Sequence, residues 1–128
     1  QACLPDLRAD GRGRIVNLTS SVVWDAAVRD MVAYSTTKAA IVGLTRGLAT
    51  ELGPDGVTVN CIAPGIVLTP DIEGRVPEEK LAAYRERQAV KRLARPDDLA
   101  ATLRYLVDKG AQLVTGTVQP VNGGRVWT

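Results

Sequence analysis

Histidine is absent from the 128 residues. That removes a Ser-His-Asp triad, a Cys-His pair and most zinc sites at once. Cysteine is scarce: Cys3 and Cys61 stand far apart, with no Cys-x-x-Cys spacing. The two could form one bridge or none, and nothing in their placement suggests a secreted disulfide framework. No apolar run approaches the length of a membrane span and there is no secretory leader pattern, so a soluble cytoplasmic protein is expected. Charge is nearly balanced, 16 basic residues against 14 acidic ones for a net +2, without a block of like charges. A solvated surface accounts for that distribution, and neither nucleic acid nor a membrane is expected as a partner. A Gly-x-Gly-x-x-Gly phosphate loop is also missing.

What is present is enough for one globular unit with a modest core, since 45% of the residues are hydrophobic. Residues 2–9 read as the tail of a helix, as if the sequence begins in mid-domain, and a Gly/Arg-rich turn follows. Arg14-Ile15-Val16-Asn17-Leu18-Thr19 is a short β-branched run between Gly13 and Ser20-Ser21, a buried strand by its composition. Residues 24–30 are loop-like. Asp30 is placed to cap a helix from about Val32 to Leu52, which Gly53-Pro54 stops. Ala39, Ala40, Gly43, Leu44, Gly47 and Leu48 would let that helix pack closely.

A second strand is expected over residues 57–63, ended by Pro64-Gly65, with a loop through Thr69-Pro70. Pro77 with Glu78 and Glu79 reads as a helix start, acidic where the dipole favours it. Pro96-Asp97-Asp98 opens another helix, with Leu99, Leu103, Leu106 and Val107 as its buried stripe. A third strand is expected over residues 116–121, at a sheet edge because Pro120 has no N–H to donate. Strands alternating with helices imply an α/β layer fold with a parallel sheet of about three strands. The first strand would want a neighbour that these residues do not contain.

The chemistry gathers at the strand ends. Tyr34 and Lys38 are four residues apart, which puts a phenol and an ammonium on one helix face. Ser21, separated from Tyr34 by twelve residues, ends the preceding strand and could meet the phenol. Such a trio can polarise a carbonyl and pass it a proton while a hydride arrives from elsewhere. Tyr-x-x-x-Lys is weak evidence by itself. The order of strand, helix and second strand strengthens it, because ligands of α/β sheets bind beyond the carboxyl ends of the strands.

Taken together, Ser21, Tyr34-Ser35-Thr36-Thr37-Lys38, Asn60, Pro64-Gly65, Thr69, Arg92-Leu93-Ala94-Arg95-Pro96-Asp97-Asp98 and Val121-Asn122-Gly123-Gly124 stand in the order and spacing of a known family. The sequence resembles the C-terminal half of a short-chain dehydrogenase/reductase. The resemblance covers nearly the whole chain. It implies the C-terminal part of a Rossmann-like doubly wound parallel sheet, NAD or NADP as cofactor, and interconversion of a small alcohol and a ketone. By the same resemblance Tyr34 is the general acid in reduction and the base in oxidation. A free phenol has a pKa of about 10, so it needs a positive neighbour to act near neutrality. The family implies that Lys38 supplies that charge and binds the nicotinamide ribose, and that Ser21 donates to the substrate oxygen. Pro64 and Gly65 would bring backbone close to the nicotinamide, with the main chain of Val67 and the hydroxyl of Thr69 holding its carboxamide. Asn60 is read instead as a strand-end residue that ties loops together.

The family's phosphate loop, its NAD-or-NADP selector and its catalytic asparagine all lie upstream of the matching region. The resemblance therefore implies that residues 1–128 are the catalytic half without the N-terminal dinucleotide-binding half, inactive alone. Trp24 stands where a small residue is common in the family and is expected to shape the substrate pocket. Residues 22–31 and 68–89 are expected to line the substrate side. Family members often form homodimers or homotetramers through the helix of Tyr34 and the last helix and strand, so a non-catalytic assembly module is the alternative reading. A weaker one is an acyl-transfer hydrolase built on Ser35-Thr36-Thr37-Lys38, whose S-D-N and K-T-G partner motifs are missing.

Overall fold

The computed structural model describes residues 2–25 and 27–128. Gln1 and Ala26, the latter expected in a loop, lie outside them. The chain runs through α1 (Leu4–Arg8), β1 (Arg14–Leu18), α2 (Val32–Leu52), β2 (Thr58–Pro64), α3 (Pro70–Arg75), α4 (Glu78–Glu86), α5 (Pro96–Val107) and β3 (Val118–Val121). Single 3-10 turns occupy Ser21–Trp24, Gly53–Asp55 and Lys109–Ala111.

The three strands form one parallel sheet in the order β1-β2-β3. Arg14 stands opposite Thr58 and Leu18 opposite Ile62, while Cys61 faces Val118 and Pro64 faces Val121. Every residue of β2 from Thr58 to Ala63 is buried. Successive side chains of a strand point to opposite faces, so β2 is covered on both, as its apolar run requires. Val59 and Ile62 are at most 2% exposed, and burying each contributes about 1.5–3 kcal/mol. Ala49 and Leu52 of α2 pack with Val57 and Val59, and Leu4, Leu7 and Ile15 close the cluster. Helix α5 packs against all three strands and buries Leu106 completely.

Several expectations need correction. Asp30 does not cap α2: the cap position is Met31, without a side-chain bond, and Asp30 takes the left-handed conformation at φ 59°. Aspartate tolerates that region better than most residues, so it turns the chain instead of closing the helix end. Leu103 and Val107 are 43% and 45% exposed. Leu106 holds the sheet-facing position; Val107, the next residue, is turned roughly 100° from it, and Leu103, one turn earlier and about 60° round the helix, falls at the edge of the buried face. Of the small and apolar residues of α2, Leu48 packs on the core, whereas Gly43 and Gly47 have open space where a Cβ would stand and Leu44 is 55% exposed. The loop expected after β2 contains α3, started by Thr69 as its cap and Pro70 in its first turn. Both cysteines are free, Cys3 exposed and Cys61 buried in β2. No helix among the described residues is long and apolar enough to cross a membrane.

Candidate active site

Parallel strands all point one way, so the loops after β1, β2 and β3 emerge at one end of the sheet. The first of these carries the serines. Thr19 prolongs the ladder by one bond to the Ile62 carbonyl (2.9 Å). Ser20 is extended and its Oγ accepts from the Val22 amide (3.3 Å), which caps the turn beginning at Ser21. Ser20 is thereby committed to the backbone. Ser21 is buried, and its hydroxyl takes no partner among the described residues.

Tyr34 lies in the first turn of α2 and is about half exposed. Lys38, one turn on, is fixed to the end of β1 in two ways. Its Nζ donates to the Leu18 carbonyl (3.1 Å), and its own carbonyl accepts from Thr19 Oγ1 (2.7 Å). The Lys38 Nζ stands 5.7 Å from the centre of the Tyr34 ring, within range of a cation–π contact.

The second wall follows β2. Gly65 donates its amide to the Val121 carbonyl (3.0 Å), and the Ile66 amide donates to Tyr84 Oη (3.2 Å). Val67 bridges to Ala94 through the Leu68 amide (2.8 Å to the Ala94 carbonyl), and its own N–H and carbonyl have no protein partner among the described residues. Thr69 Oγ1 accepts from the Ile72 amide (3.4 Å) as the cap of α3.

Ser21, Tyr34, Gly65, Val67 and Thr69 share one cavity of about 560 Å³. Lys38 and Pro64 are not part of its wall; Lys38 stands behind Tyr34, and Pro64 ends β2 opposite Val121. Val22, Val28 and Met31 line it from the first expected substrate segment, and Ile72 and Tyr84 from the second. Asn60 is a buried structural residue: its Nδ2 donates to the Val114 carbonyl (2.7 Å), and its Oδ1 accepts from the Thr117 amide (3.1 Å) and hydroxyl (2.8 Å). Trp24 is not in the wall of this cavity. It lines an adjoining cleft of about 800 Å³ beside Ser35, Thr36 and Ala39, which shares Val22, Asp25, Val28 and Met31 with the cavity of Ser21.

Three residues of the site were not singled out from sequence. Asp25 is buried, and its carboxylate accepts from Arg125 Nε (2.8 Å), from Arg87 Nη2 (3.2 Å) and from the Ala27 amide (3.2 Å), with Arg125 Nη2 2.6 Å away in the same ion pair. Burial alone would raise its pKa; the hydrogen bonds from Arg125 and Ala27 and the charges of Arg125 and Arg87 outweigh that and hold it below the usual carboxylate range. Arg125 lies 4.0 Å from the centre of the Tyr84 ring. Asp25, Tyr84 and Arg125 all reach the cavity wall. They come together across up to 100 residues of sequence, so no local pattern announces them.

Residues 1–125 match the family model described as enoyl-(acyl carrier protein) reductase. Among curated relatives, the (2S)-[(R)-hydroxy(phenyl)methyl]succinyl-CoA dehydrogenase subunit BbsD of Thauera aromatica is 45% identical over 113 residues, covering 88% of this chain and 44% of its own length. The probable galactose dehydrogenase GalD of Rhizobium meliloti is 38% identical, with 97% and 48% covered. The crystal structure of 3-oxoacyl-[acyl-carrier protein] reductase from Brucella melitensis superposes with a TM-score of 0.86 at 34% identity, covering 96% of this chain and 46% of that one. A putative NAD(P)-dependent gluconate 5-dehydrogenase from Beutenbergia cavernae, solved with bound NADP, gives 0.84 at 38% identity over 93% and 48%. The chain belongs to the short-chain dehydrogenase/reductase family of oxidoreductases, with that family's Rossmann-like fold. It spans about half the length of these relatives.

Proposed function

We propose that the protein is an NAD(P)-dependent oxidoreductase that interconverts an alcohol and a ketone, with Ser21, Tyr34 and Lys38 handling the proton. What supports this reading most directly is the one cavity that holds Ser21 and Tyr34 on one wall and Gly65, Val67 and Thr69 on the other. The cofactor supplies or accepts the hydride at the carbonyl carbon. A nicotinamide carboxamide has both donor and acceptor, and the free N–H and carbonyl of Val67 match it. Residues of this chain that would hold the cofactor are Lys38, Pro64, Gly65, Val67 and Thr69, together with Tyr34.

In reduction, Ser21 donates a hydrogen bond to the substrate oxygen as negative charge develops there, and Tyr34 delivers its phenolic proton to that oxygen. The resulting phenolate sits near the Lys38 ammonium, which stabilises it electrostatically. Oxidation runs the same transfer backwards. The substrate is a small carbonyl or alcohol compound. The open small-residue face of α2, with Gly43, Gly47 and the exposed Leu44, supports assembly into a homodimer or homotetramer. A cytoplasmic location completes the reading. Ser35 of the S-x-x-K run lies in the other cleft, away from Ser21, which favours the oxidoreductase over acyl transfer.

The test is turnover of a carbonyl panel with NADH and NADPH in the full-length protein, before and after Tyr34→Phe. General acid–base catalysis contributes roughly 10²–10⁴-fold, so the variant is expected to lose at least about a hundredfold in kcat while keeping its circular dichroism spectrum. Unchanged turnover overturns the assignment.

A further inference from the structure

The two walls of the cavity are joined by a chain of contacts that the proton chemistry does not use. At its centre is Arg125, on the segment after β3. Its main chain is held by the Asn122 turn: the Arg125 amide donates to Asn122 Oδ1 (3.2 Å), and Asn122 Nδ2 donates to the Val126 carbonyl (2.9 Å). Its side chain is 5% exposed, and Nη1 is buried without an acceptor among the described residues, so the guanidinium is packed into the fold instead of being turned out to a ligand. Toward the serine wall, Nε donates to Asp25 Oδ2 (2.8 Å) and Nη2 stands 2.6 Å from the same oxygen. The other oxygen of Asp25 accepts from the Ala27 amide (3.2 Å), and the Asp25 amide donates to the Val22 carbonyl (3.2 Å). The carboxylate is therefore tied to the turn that carries Ser21. Toward the second wall, the guanidinium carbon lies 4.0 Å from the centre of the Tyr84 ring, and Tyr84 Oη accepts from the Ile66 amide (3.2 Å). A planar guanidinium can hold a carboxylate at its edge and an aromatic ring at its face at once, which a lysine cannot.

We infer that Arg125 is a positioning residue that ties the serine wall to the wall of Gly65, Ile66 and Val67, through Asp25 on one side and the Tyr84 ring on the other. The inference rests on the reading that substrate and cofactor meet in this cavity, and it adds what holds them at a fixed separation. Ser21 addresses the substrate oxygen from one wall, and Val67 addresses the nicotinamide from the other. A misplacement of about 1 Å can cost about a hundredfold in rate. Arg125 takes no part in the proton transfer; it acts through the Ser21 turn and the Ile66 amide. A latch that only held the segment after β3 against the serine turn would use the Asp25 pair, but it would carry nothing to Ile66.

The experiment cuts the chain of contacts at each end in the full-length protein. Asp25→Asn keeps the size of the side chain and removes its charge. Tyr84→Phe keeps the ring beside Arg125 and removes the acceptor of the Ile66 amide. Each is expected to lower kcat and kcat/KM together by roughly tenfold to a hundredfold, with KM within about threefold, because alignment is lost in the transition state. The double variant is expected to fall no more than about threefold below the poorer single one, since a chain already cut loses little by a second cut. Losses that multiply, or that fall on KM alone, overturn the inference. Amide hydrogen exchange gives a reading that needs no turnover. In Asp25→Asn, peptides spanning residues 65–68 should show the Ile66 amide, which is bonded to Tyr84 and not to Asp25, exchanging at least about threefold faster than in wild type. An unchanged rate there overturns the tie between the walls. Should Asp25→Asn be unfolded by circular dichroism, Tyr84→Phe gives the converse reading at the Asp25 and Ala27 amides. A wild-type protein that turns over no carbonyl compound with NADH or NADPH counts against the oxidoreductase reading, while the exchange rates still decide whether Arg125 joins the walls.

Discussion

Replacing Gly65 with alanine tests how the second wall of the site is built. A Cβ at that position would stand 2.5 Å from Tyr84 Oη, with Asn122 Cβ and Cα at 3.2 and 3.3 Å. The first distance is impossible for real atoms, so the phenol must retreat. Its retreat breaks the bond from the Ile66 amide and shifts the ring on which Arg125 rests. Overpacking of this kind costs about 1–3 kcal/mol. Tyr84→Phe alone leaves the Ile66 amide without its acceptor and costs about 1–3 kcal/mol. In the double variant the oxygen that clashes is already gone. The two costs then overlap, and the double variant is expected to be more stable than the sum of the singles by about 1–2 kcal/mol, inside the range found for contacting pairs. Equilibrium unfolding in urea, followed by circular dichroism, measures all four corners of the cycle. Additive losses, or a Gly65→Ala change with no cost, would refute the contact between Gly65 and Tyr84 as the reason that only glycine fits.

Two further outcomes follow from charge and burial. Asp98 is held well below the usual carboxylate range by two bonds from Arg92 (2.7 Å each), with help from the Arg95 amide (2.8 Å). A depressed carboxylate stabilises the fold above its unfolded pKa of about 4, and that contribution is lost as pH falls through the folded value. The stability gap between wild type and Asp98→Asn should therefore be full at pH 7 and shrink below about pH 4; a gap independent of pH in denaturant titrations would sink the idea. The thiol of Cys61 is pushed up by burial, whereas Cys3 is exposed. A thiolate-selective disulfide reagent should modify one of these two cysteines in the native protein and both in guanidinium, and rapid native labelling of Cys61 would contradict the buried β2 strand.

The legible part of the fold was whatever repeats over a short window. The β-branched runs of β1 and β2, the stop at Gly53-Pro54 and the Pro-acidic starts of α4 and α5 are local signals, and the structure keeps them. Helix α3 carried signals of the same kind in Thr69-Pro70 and Asp71, but its six residues are too short for an apolar stripe to register. The exposure of Leu103 and Val107 depends on which way α5 rolls against the sheet, which is a tertiary matter. The site divides along the same line. The Tyr34 and Lys38 pair follows from helix spacing, and Ser21 from its place at a strand end. The Asp25–Arg125 pair joins a turn after β1 to the segment after β3. Only the closing of the sheet brings those two together. Which side of the adjoining clefts Trp24 faces is set by the 3-10 turn that carries it, and no local sequence pattern announces that direction.

Structural and chemical roles are often set against each other for such residues, and donor inventories show that here they are compatible. Thr69 Oγ1 accepts from the Ile72 amide, but accepting leaves the hydroxyl proton free to donate. The helix cap therefore fixes the oxygen and aims its proton elsewhere, which is what a group reaching for a ligand needs. An ammonium has three donors, and Lys38 gives one to the Leu18 carbonyl. That bond anchors Nζ near Tyr34 and leaves two N–H groups for other acceptors. Ser20 and Ser21 divide the same labour between neighbours: the first closes the turn through Val22, and the second keeps its hydroxyl available in the cavity. Replacing Ser20 with alanine should therefore loosen the turn and weaken turnover indirectly, by about 1 kcal/mol of lost capping. Replacing Ser21 should leave the turn's bond to Val22 intact and act on the chemistry alone. A stability loss at Ser21 equal to that at Ser20, measured by urea unfolding, would contradict this division.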